Sequence, residues 1–206
     1  MSATPLSRVR SQRPLTQAVE AQPTDAKLVA AVRRGDQRVT AEFYARLRGP
    51  IDRALLRVFG RREQDHEDFV QITLEQVVDS IALKRFRNQC SLATWGALIG
   101  SRVALAEIRR RSRRGPHEQP LPQLAGAVDE QRRLQARQVL RAVRRALASL
   151  GRRCADVVYL TDVEGYSEAE VCQALGISAS AAHSRLVRGR QQMRVALRDY
   201  LEAGND

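Results

Sequence analysis

The chain has 206 residues, of which 43% are hydrophobic, which is enough for one or two packed domains and excludes a wholly disordered protein. Its formal net charge of +12 and its sequence pI of about 10.9 predict an anionic partner, most simply nucleic acid. The sequence has no apolar run long enough to cross a bilayer and no signal peptide, so we expect a cytoplasmic protein without membrane insertion.

The N-terminal part of the chain predicts a basic arm followed by two helices. Residues 1–23 are polar and contain several prolines and arginines, which is typical of a flexible arm. Thr24 is suited to cap a short helix that ends at Gly35. A longer helix follows, with its apolar residues on one side: Phe43, Leu47, Ile51, Leu55 and Val58. Pro50 predicts a kink or a break in that helix, because proline lacks an N–H and clashes with the preceding turn.

Acidic side chains gather at the start of the next predicted helix, residues 65–83, against the basic balance of the chain. They are Glu63, Asp65, Glu67 and Asp68, followed by Glu75 and Asp79. One explanation is that acids near a helix N-terminus interact favourably with the helix dipole. The alternative is a contact with a basic protein partner, since acids would repel DNA.

A short polar segment, residues 86–91, lacks helical periodicity and predicts a loop. The helix after it, residues 92–113, ends in a cluster of arginines: Arg109, Arg110, Arg111, Arg113 and Arg114. The loop is either a simple connection or a pocket for unpaired bases, which need a basic groove beside them. Phe86 and Trp95 are predicted to lie in the core rather than to stack on bases.

The C-terminal half begins with the best linker candidate in the chain, residues 115–130, which contain three prolines and two glycines. Apolar periodicity then resumes with Leu140, Val143, Leu147 and Leu150. Gly151 ends that helix, and another is predicted over residues 154–162. The sequence therefore predicts an all-α fold of two small helical domains joined by a flexible linker.

Residues 165–194 predict a helix-turn-helix, whose second helix usually enters the DNA major groove. Ser167 and Glu170 have capping-box spacing, Gly176 ends the first helix, and Ser178 is suited to cap the second. At about 100° per residue, an apolar stripe and a polar face lie on opposite sides of the second helix. The stripe holds Ala182, Leu186, Met193 and Leu197, and the polar face holds Ser180, Ser184, Arg188 and Gln191. The polar face either contacts phosphates and base edges or is an ordinary solvated surface.

No catalytic or metal-binding pattern emerges from the sequence. The cysteines (Cys90, Cys154 and Cys172) and the histidines (His66, His117 and His183) are scattered without metal-ligand spacing. We therefore predict reduced thiols, no metal and no cofactor. A nuclease would need carboxylates clustered around a metal, or a nucleophile beside a base, so we also expect no catalytic residues and no small-molecule substrate.

Two segments resemble the extracytoplasmic-function (ECF) group of bacterial sigma factors, within the sigma-70 family. DHEDFVQITLEQV is similar to the D-x-E-D-L-V-Q-x-T-F segment of sigma region 2, and RFRNQCSLATW follows where the family has F-x-x-x-S-x-F-x-T-W. VEGYSEAEVCQALGISASAAHSRLVRGRQQMR is similar to sigma region 4, with its E-G-x-S-x-x-E-I-A-x-x-L-G-x-S and S-R-L-x-R-A-R-x-x-L-R. The resemblance covers residues 24–201 and implies an RNA polymerase sigma factor.

The resemblance implies binding roles for three groups of residues. Binding to core polymerase would involve Asp65, Glu67, Asp68, Gln71 and Glu75. Contact with the −10 promoter element, including capture of a flipped base by the loop, would involve Arg87, Asn88, Gln89, Cys90, Ser91, Trp95, Arg102, Arg109 and Arg110. Contact with the −35 element in the major groove would involve Ser180, Ala181, His183, Ser184, Arg185 and Arg188.

The resemblance also implies a domain layout and a set of partners. The arm would cover residues 1–23, the region 2-like domain residues 24–114, the linker residues 115–131, and the region 4-like helix-turn-helix domain residues 132–203. The partners would be core RNA polymerase, promoter DNA and an anti-sigma factor, which commonly holds members of this group.

The chain departs from the family pattern at several positions. Arg102 and Glu107 stand where the family usually has asparagine and aspartate, and His183 stands where lysine or arginine is frequent. Ala181 and Ala182 replace a frequent Thr-Val pair, so no consensus promoter is carried over. The alternative function is a stand-alone helix-turn-helix regulator that dimerises on palindromic half-sites. The acidic helix and the tethered layout argue against that alternative.

Overall fold

The computed structural model describes residues 23–36, 38, 40–114 and 127–198, and every regular element within them is helical. The elements are α1 (Pro23–Arg33), α2 (Thr40–Phe59), α3 (His66–Ala82), α4 (Leu92–Arg113), α5 (Ala127–Ser149), α6 (Arg152–Val158), a π-helical turn (Tyr159–Val163), α7 (Glu168–Leu175) and α8 (Ala179–Ala196). The predicted all-α fold is confirmed. The predicted arm and most of the predicted linker lie outside the described residues.

The N-lobe, residues 23–114, is built around the contact between α2 and α4. Leu47, Ile51 and Leu55 lie one turn apart on α2 and are fully buried, as their periodicity predicts. A methyl group added at Gly96 of α4 would come within 2.6 Å of the Leu47 Cδ2 atom. The glycine therefore lets the two helices pack at short range, and α3 closes the same core with Val77 and Ile81.

The predicted break at Pro50 is wrong, because α2 runs without interruption from Thr40 to Phe59. A proline inside a helix costs about 3 kcal/mol. Complete burial of a large aliphatic side chain stabilises by roughly 1.5–3 kcal/mol, and three of them flank this proline on α2. Tertiary packing thus outweighs the tendency of Pro50 to break the helix.

The C-lobe, residues 127–198, packs α6 and α8 against each other, with α5 and α7 at their sides. Its core contains Leu147, Leu150, Val157, Tyr159 and Val171. Because α5 starts at Ala127, residues 127–131 are helical although the sequence assigns them to the linker.

The predicted helix over residues 154–162 is in fact two elements, α6 and the π-helical turn. The wide turn is held by the Glu164 N–H, which donates to the Tyr159 carbonyl at 3.0 Å. The Tyr159 hydroxyl donates in turn to Glu164 Oε1 at 2.6 Å. Single π-helical turns are rare, and they occur frequently at functional sites.

Helix α4 joins the two lobes, since it packs against α2 and α3 on one side and against α5 and α6 on the other. The loop before α4 and the arginines along it are the residues that the sequence assigns to nucleic acid. The two lobes therefore contact each other at the surface that the sequence predicts to bind nucleic acid.

Candidate nucleic-acid interfaces

The helix-turn-helix predicted at α7 and α8 is confirmed in its local detail. Ser167 and Glu170 form a complete capping box, in which each side chain bonds to the other residue's backbone N–H. Gly176 has φ +63°, the left-handed conformation that lets the chain leave α7 sharply. Ser178 Oγ then accepts a hydrogen bond from the Ala181 N–H at 3.3 Å and caps α8. Local sequence signals thus place the start of α8.

Fewer residues of α8 are fully buried than its apolar stripe predicts. Ala182 is buried, but Leu186, Met193 and Leu197 are only half-buried. The closest approach to α6 is made at Gly189, where an added methyl group would lie 2.6 Å from Val158 Cγ2. The absence of a side chain at this position sets how closely α8 lies on α6. The apolar periodicity of α8 does not reveal this contact, because glycine does not count as apolar.

The outer side of α8 presents the residues assigned to the −35 element. Ser180, His183, Ser184 and Arg188 are exposed, whereas Ala181 and Arg185 are half-buried. The Arg188 Nε–H donates to the Ser184 carbonyl at 3.2 Å, which holds the guanidinium beside the helix. The face offers hydroxyl, imidazole and guanidinium groups near the helix N-terminus, the end that reaches base edges in major-groove complexes.

The loop between α3 and α4 is held in place by α1. Arg33 donates to the carbonyl oxygens of Ile81 and Phe86 at 3.3 and 2.9 Å, at the start of the loop. The carboxylate of Asp25 accepts from the Leu92 N–H at 2.9 Å, at its end. Both ends of the loop are therefore bonded to the first described helix. Sequence reasoning missed Asp25 and Arg33, because nothing local marks contacts this distant in the chain.

The loop itself mixes exposed and sheltered residues. Arg87, Asn88 and Gln89 are exposed, and Asn88 has φ +55°, a left-handed conformation that asparagine tolerates better than most residues. Ser91 caps α4 by accepting from the Thr94 N–H at 3.0 Å. Burial raises the pKa of the Cys90 thiol to about 12, with a contribution from the nearby Asp25 charge, so the thiol is neutral at physiological pH.

A cavity of about 240 Å³ lies beside the loop. Its N-lobe wall consists of Arg85, Phe86, Arg87, Gln89, Cys90 and Trp95. Its other wall comes from the C-lobe, with Ala174, Leu175 and Gly176 at the turn of the helix-turn-helix. The loop predicted to hold an unpaired base therefore faces the turn of the helix-turn-helix across this cavity.

Trp95 is half-buried and belongs to the N-lobe core, as predicted, while one side of its ring meets an arginine. Its indole N–H donates to Ser80 Oγ at 2.8 Å, and its ring centroid lies 5.5 Å from that of Phe86. The Arg102 guanidinium lies 5.6 Å from the Trp95 ring centroid. Arg102 also makes two hydrogen bonds to Asp156 of the C-lobe, at 2.8 and 2.9 Å. Arg102, which the sequence assigns to DNA, is thus paired with the carboxylate of Asp156.

The arginines at the end of α4 are also partly neutralised. Arg110 makes two 2.6 Å hydrogen bonds to Glu107, and Arg111 bonds both Glu107 at 2.7 Å and Glu63 at 2.8 Å. These bonds, led by those from Arg110, lower the pKa of Glu107. Arg109 is half-buried and donates to the Leu105 carbonyl at 3.3 Å. Part of the positive charge of the arginine run is therefore neutralised, whereas Arg85 and Arg87 are exposed beside the cavity.

The residues assigned to core polymerase lie at the start of α3 and along it, and none of them lines the cavity. Asp65, Glu67, Asp68, Gln71 and Glu75 are all exposed. Asp65 precedes the helix but makes no capping hydrogen bond with its side chain.

Part of the acidic charge is neutralised within the N-lobe. Glu67 accepts from Arg48 at 2.6 and 2.7 Å and also pairs with Arg62, and the hydrogen bond from Arg48 is the main cause of its lowered pKa. Gln71 donates to Glu75 at 3.0 Å. The exposed side chains of Ile72 and Val78 lie among these polar groups, which gives the surface an apolar component. A mixed acidic and apolar surface fits a protein partner better than DNA.

Within the described ranges, no helix is both long enough and apolar enough to span a membrane. In the same part of the chain, no three His, Cys, Asp or Glu side chains come together in a way that could hold a metal ion.

The fold and the capped α7–α8 pair define a helical DNA-binding protein of the helix-turn-helix class. The family described as "Sigma-70, region 4" matches residues 140–193. The ECF RNA polymerase sigma factor SigM of Mycobacterium tuberculosis is 27% identical over 181 residues, covering 88% of each chain. The sigma factor SigE of Mycolicibacterium smegmatis is 29% identical over 195 residues, covering 87% of this chain and 70% of SigE.

Two solved structures are also similar. CnrH in complex with the cytosolic domain of CnrY is 25% identical, with a TM-score of 0.46, over 85% of this chain and 97% of that chain. The sigma factor RpoE of Bartonella quintana, in complex with the anti-sigma factor NepR, is 18% identical, with a TM-score of 0.39, over 81% of this chain and 98% of that chain.

The match to the region 4 family and the similarity to the two relatives support an assignment of the chain to the ECF group of the sigma-70 family, with the function of an RNA polymerase sigma factor. It is therefore a transcription initiation factor, as the two sequence motifs predict.

Proposed function

We propose that this sigma factor binds core RNA polymerase through the exposed surface of α3 and reads promoters through two separate DNA contacts. The loop of residues 87–91, together with α4, would bind the −10 element, and the outer side of α8 would bind the −35 element. The N-lobe then corresponds to the region 2-like domain, residues 24–114, and the C-lobe to the region 4-like domain, residues 132–203. The observation that carries the proposal is the exposed polar face of α8, which begins at a cap and lies opposite its buried side.

Contact with the −35 element is tested by Arg188→Ala. Loss of a base contact by this exposed guanidinium costs about 1–3 kcal/mol, which corresponds to a drop in affinity of roughly 5- to 150-fold. The matched control is Arg194→Ala, which removes the same charge from an exposed arginine about 9 Å further along α8. Equal promoter binding by holoenzymes carrying these two variants would show that the outer face of α8 does not read DNA.

Contact with the −10 element is supported by the position of the loop beside a cavity and a tryptophan. Arg87 and Asn88 are exposed at the loop, and the bonds from α1 fix its backbone. A fixed loop is what base capture needs, since extruding a base costs a few kcal/mol that a preformed pocket must offset. The test is promoter opening by the holoenzyme of Arg87→Ala, measured with a permanganate probe for unpaired thymines.

Binding of core polymerase is tested by Asp68→Ala. Asp68 is exposed at the start of α3 beside the apolar Ile72, so the substitution removes a charge from the centre of the proposed surface. Asp79→Ala removes an equivalent exposed charge about 16 Å further along α3 and serves as the control. We expect Asp68→Ala alone to weaken the complex with core polymerase in a titration with labelled sigma factor.

The decisive experiment for the whole proposal is run-off transcription with purified core polymerase on genomic promoter fragments. No stimulation by the chain, together with no binding to core polymerase, would refute it. A dimer bound to palindromic half-sites without polymerase would instead favour the stand-alone regulator.

The remaining assignments follow from this role. The polymerase supplies the chemistry, so we assign no catalytic residue, cofactor or small-molecule substrate to this chain, and we place it in the cytoplasm with the polymerase. An anti-sigma partner stays a prediction, and co-purification from the native host tests it.

A further inference from the structure

Residues 131–155 carry a concentration of positive charge that lies outside the sites assigned to the promoter elements and to polymerase. The segment contains eight arginines and no acidic residue, whereas the formal net charge of the whole chain is +12. It covers most of α5, the turn after it and the start of α6. The excess charge of the protein is therefore concentrated in the part of the C-lobe that precedes the helix-turn-helix.

Three arginines of α5 form one exposed face, which we call the α5 basic face: Arg137, Arg141 and Arg145. They recur every fourth residue, so successive members lie about 6 Å apart along the helix axis and within about 80° around it. The buried residues Ala146 and Leu147 lie on the opposite side of α5. The α5 basic face therefore points away from the core of the C-lobe.

No carboxylate neutralises the α5 basic face. Within the described residues, none of its three arginines forms an ion pair or a side-chain hydrogen bond. Burial lowers the pKa of the neighbouring Arg144, and no carboxylate opposes that shift. The arginines of other helices differ, since Arg102 pairs with Asp156 and Arg190 pairs with Asp162.

The α5 basic face destabilises its own helix when no anion is bound. Like charges four residues apart on a helix repel each other, and the face contains two such pairs. Arg152 and Arg153 add two further exposed guanidinium groups at the start of α6, directly after the turn that ends α5. An anion that lies along these residues would relieve the repulsion.

Duplex DNA matches the α5 basic face in charge, length and position. The three guanidinium groups span about 12 Å along the helix, which is the rise of three to four base pairs at about 3.4 Å each. A chain of phosphates can contact all three, whereas a small anion cannot bridge that distance. The planar fork of arginine suits phosphate oxygens. Helix α5 also packs against α8, so the face belongs to the same lobe as the helix-turn-helix.

We propose that the α5 basic face is a second DNA-binding surface of the C-lobe, which holds the phosphate backbone of duplex DNA and does not read its sequence. The inference rests on the proposed function, because it requires that the C-lobe meets DNA through α8. Phosphate contacts supply affinity and orientation, whereas base contacts supply specificity. Helix α8 therefore selects the −35 sequence, and α5 adds affinity that all DNA sequences share.

The test uses the full chain and two variants that lose the same charge. The face variant replaces the three arginines by glutamine, which has nearly the same helix propensity: Arg137→Gln, Arg141→Gln and Arg145→Gln. The control variant removes three exposed positive charges from N-lobe positions without an assigned binding role: Lys27→Gln, Arg34→Gln and Arg53→Gln. A third variant with lysine at the three face positions keeps the charge and loses the fork.

The measurement is binding to a labelled duplex of about 20 base pairs without promoter sequence, at several salt concentrations between about 50 and 200 mM. Each phosphate contact contributes about 0.9 to the slope of log K against log salt. The face variant should therefore lose about 2–3 of that slope and bind at least about tenfold more weakly at about 0.1 M salt. The control variant and the lysine variant should keep the wild-type slope.

A second measurement separates this surface from the helix-turn-helix. Holoenzymes are compared on a promoter fragment found by run-off transcription and on the duplex without promoter sequence. The ratio of the two affinities should be unchanged in the face variant, because both affinities fall together. Arg188→Ala should lower that ratio, because it removes a base contact.

Equal salt slopes for the face variant and the control variant would overturn the inference. A face variant that binds DNA like the wild type but loses affinity for core polymerase would also overturn it, because the face would then contact an acidic protein surface. If circular dichroism finds the face variant unfolded, Arg141→Gln takes its place with an expected loss of about 0.9 in slope, and no loss would count against the inference. Failure of the wild-type chain to support run-off transcription is a different result, and it would refute the proposed function instead.

Discussion

The contact between Asp25 and the N-terminus of α4 gives a sharp prediction. The Asp25 residue is 6% exposed, and its carboxylate accepts from the N–H of Leu92, a residue with no exposed surface. A hydrogen bond to a charged group contributes about 1.5–3 kcal/mol, and a carboxylate at a helix N-terminus adds about 0.3–1 kcal/mol. Asp25→Ala should therefore lower the free energy of unfolding of the N-lobe by about 2–4 kcal/mol.

Trp95 lets this measurement follow the N-lobe core. It is the only tryptophan in the chain and packs against Phe86, so its fluorescence during urea unfolding reports the loss of that packing. Asp25→Asn is the control, because its amide oxygen still accepts from Leu92 while the charge is gone. We expect it to lose about 1 kcal/mol. If Asp25→Ala proved as stable as the wild type within about 0.5 kcal/mol, the argument that α1 holds the loop through this bond would be wrong.

Three further predictions concern stability. Burial opposes ionisation of Glu63, but hydrogen bonds from two arginines outweigh it and lower its pKa below 4.5. Glu63→Gln should thus cost about 1 kcal/mol by urea unfolding at neutral pH, and its deficit should vanish as the pH falls from 4.5 through the lowered pKa, where the wild-type carboxyl also becomes neutral. Ser167→Ala should cost about 1 kcal/mol and speed hydrogen exchange in α7, whereas Ser167→Asp should retain most of the cap; equal exchange in all three proteins would contradict the capping box. Gly189→Leu should cost about 1–3 kcal/mol in thermal unfolding of the C-lobe, since the new side chain meets Val158, and a variant as stable as wild type would mean that α6 and α8 separate easily.

Those features of the fold that depend on neighbouring residues could be predicted from the sequence. The capping box joins Ser167 to Glu170, and the second cap joins Ser178 to Ala181. Such pairs are three residues apart and are readable as spacings. The same holds for the apolar stripe of α2, whose members recur every third or fourth residue.

Features that depend on distant residues could not be predicted in this way. Asp25 and Leu92 are 67 positions apart, and Arg33 reaches carbonyls 48 and 53 positions away. No periodicity encodes such contacts, because they depend on how complete helices pack. Pro50 is the converse case, since a clear local signal for a break was outweighed by burial on the same helix.

The same distinction between local and distant contacts applies to the candidate site. Exposure of the outer face of α8 and of the α3 surface agrees with the positions chosen from the sequence. The Asp156 partner of Arg102 lies 54 positions away and has no local signal, whereas the Glu107 partner of Arg110 is three residues away and is readable as a helical i,i+3 pair. The formal net charge therefore overstates how many arginines are both unpaired and exposed to solvent in the folded protein.

The Arg102–Asp156 pair has a consequence for the thermodynamics of DNA binding. An arginine already paired with a carboxylate releases no counterion from DNA until that pair is broken. Each additional phosphate neutralised on a single strand steepens the dependence of log K on log salt by about 0.7. Breaking the Arg102–Asp156 pair would thus be recorded as a steeper salt dependence of binding to single-stranded DNA, and the change in slope would count the arginines released from carboxylates.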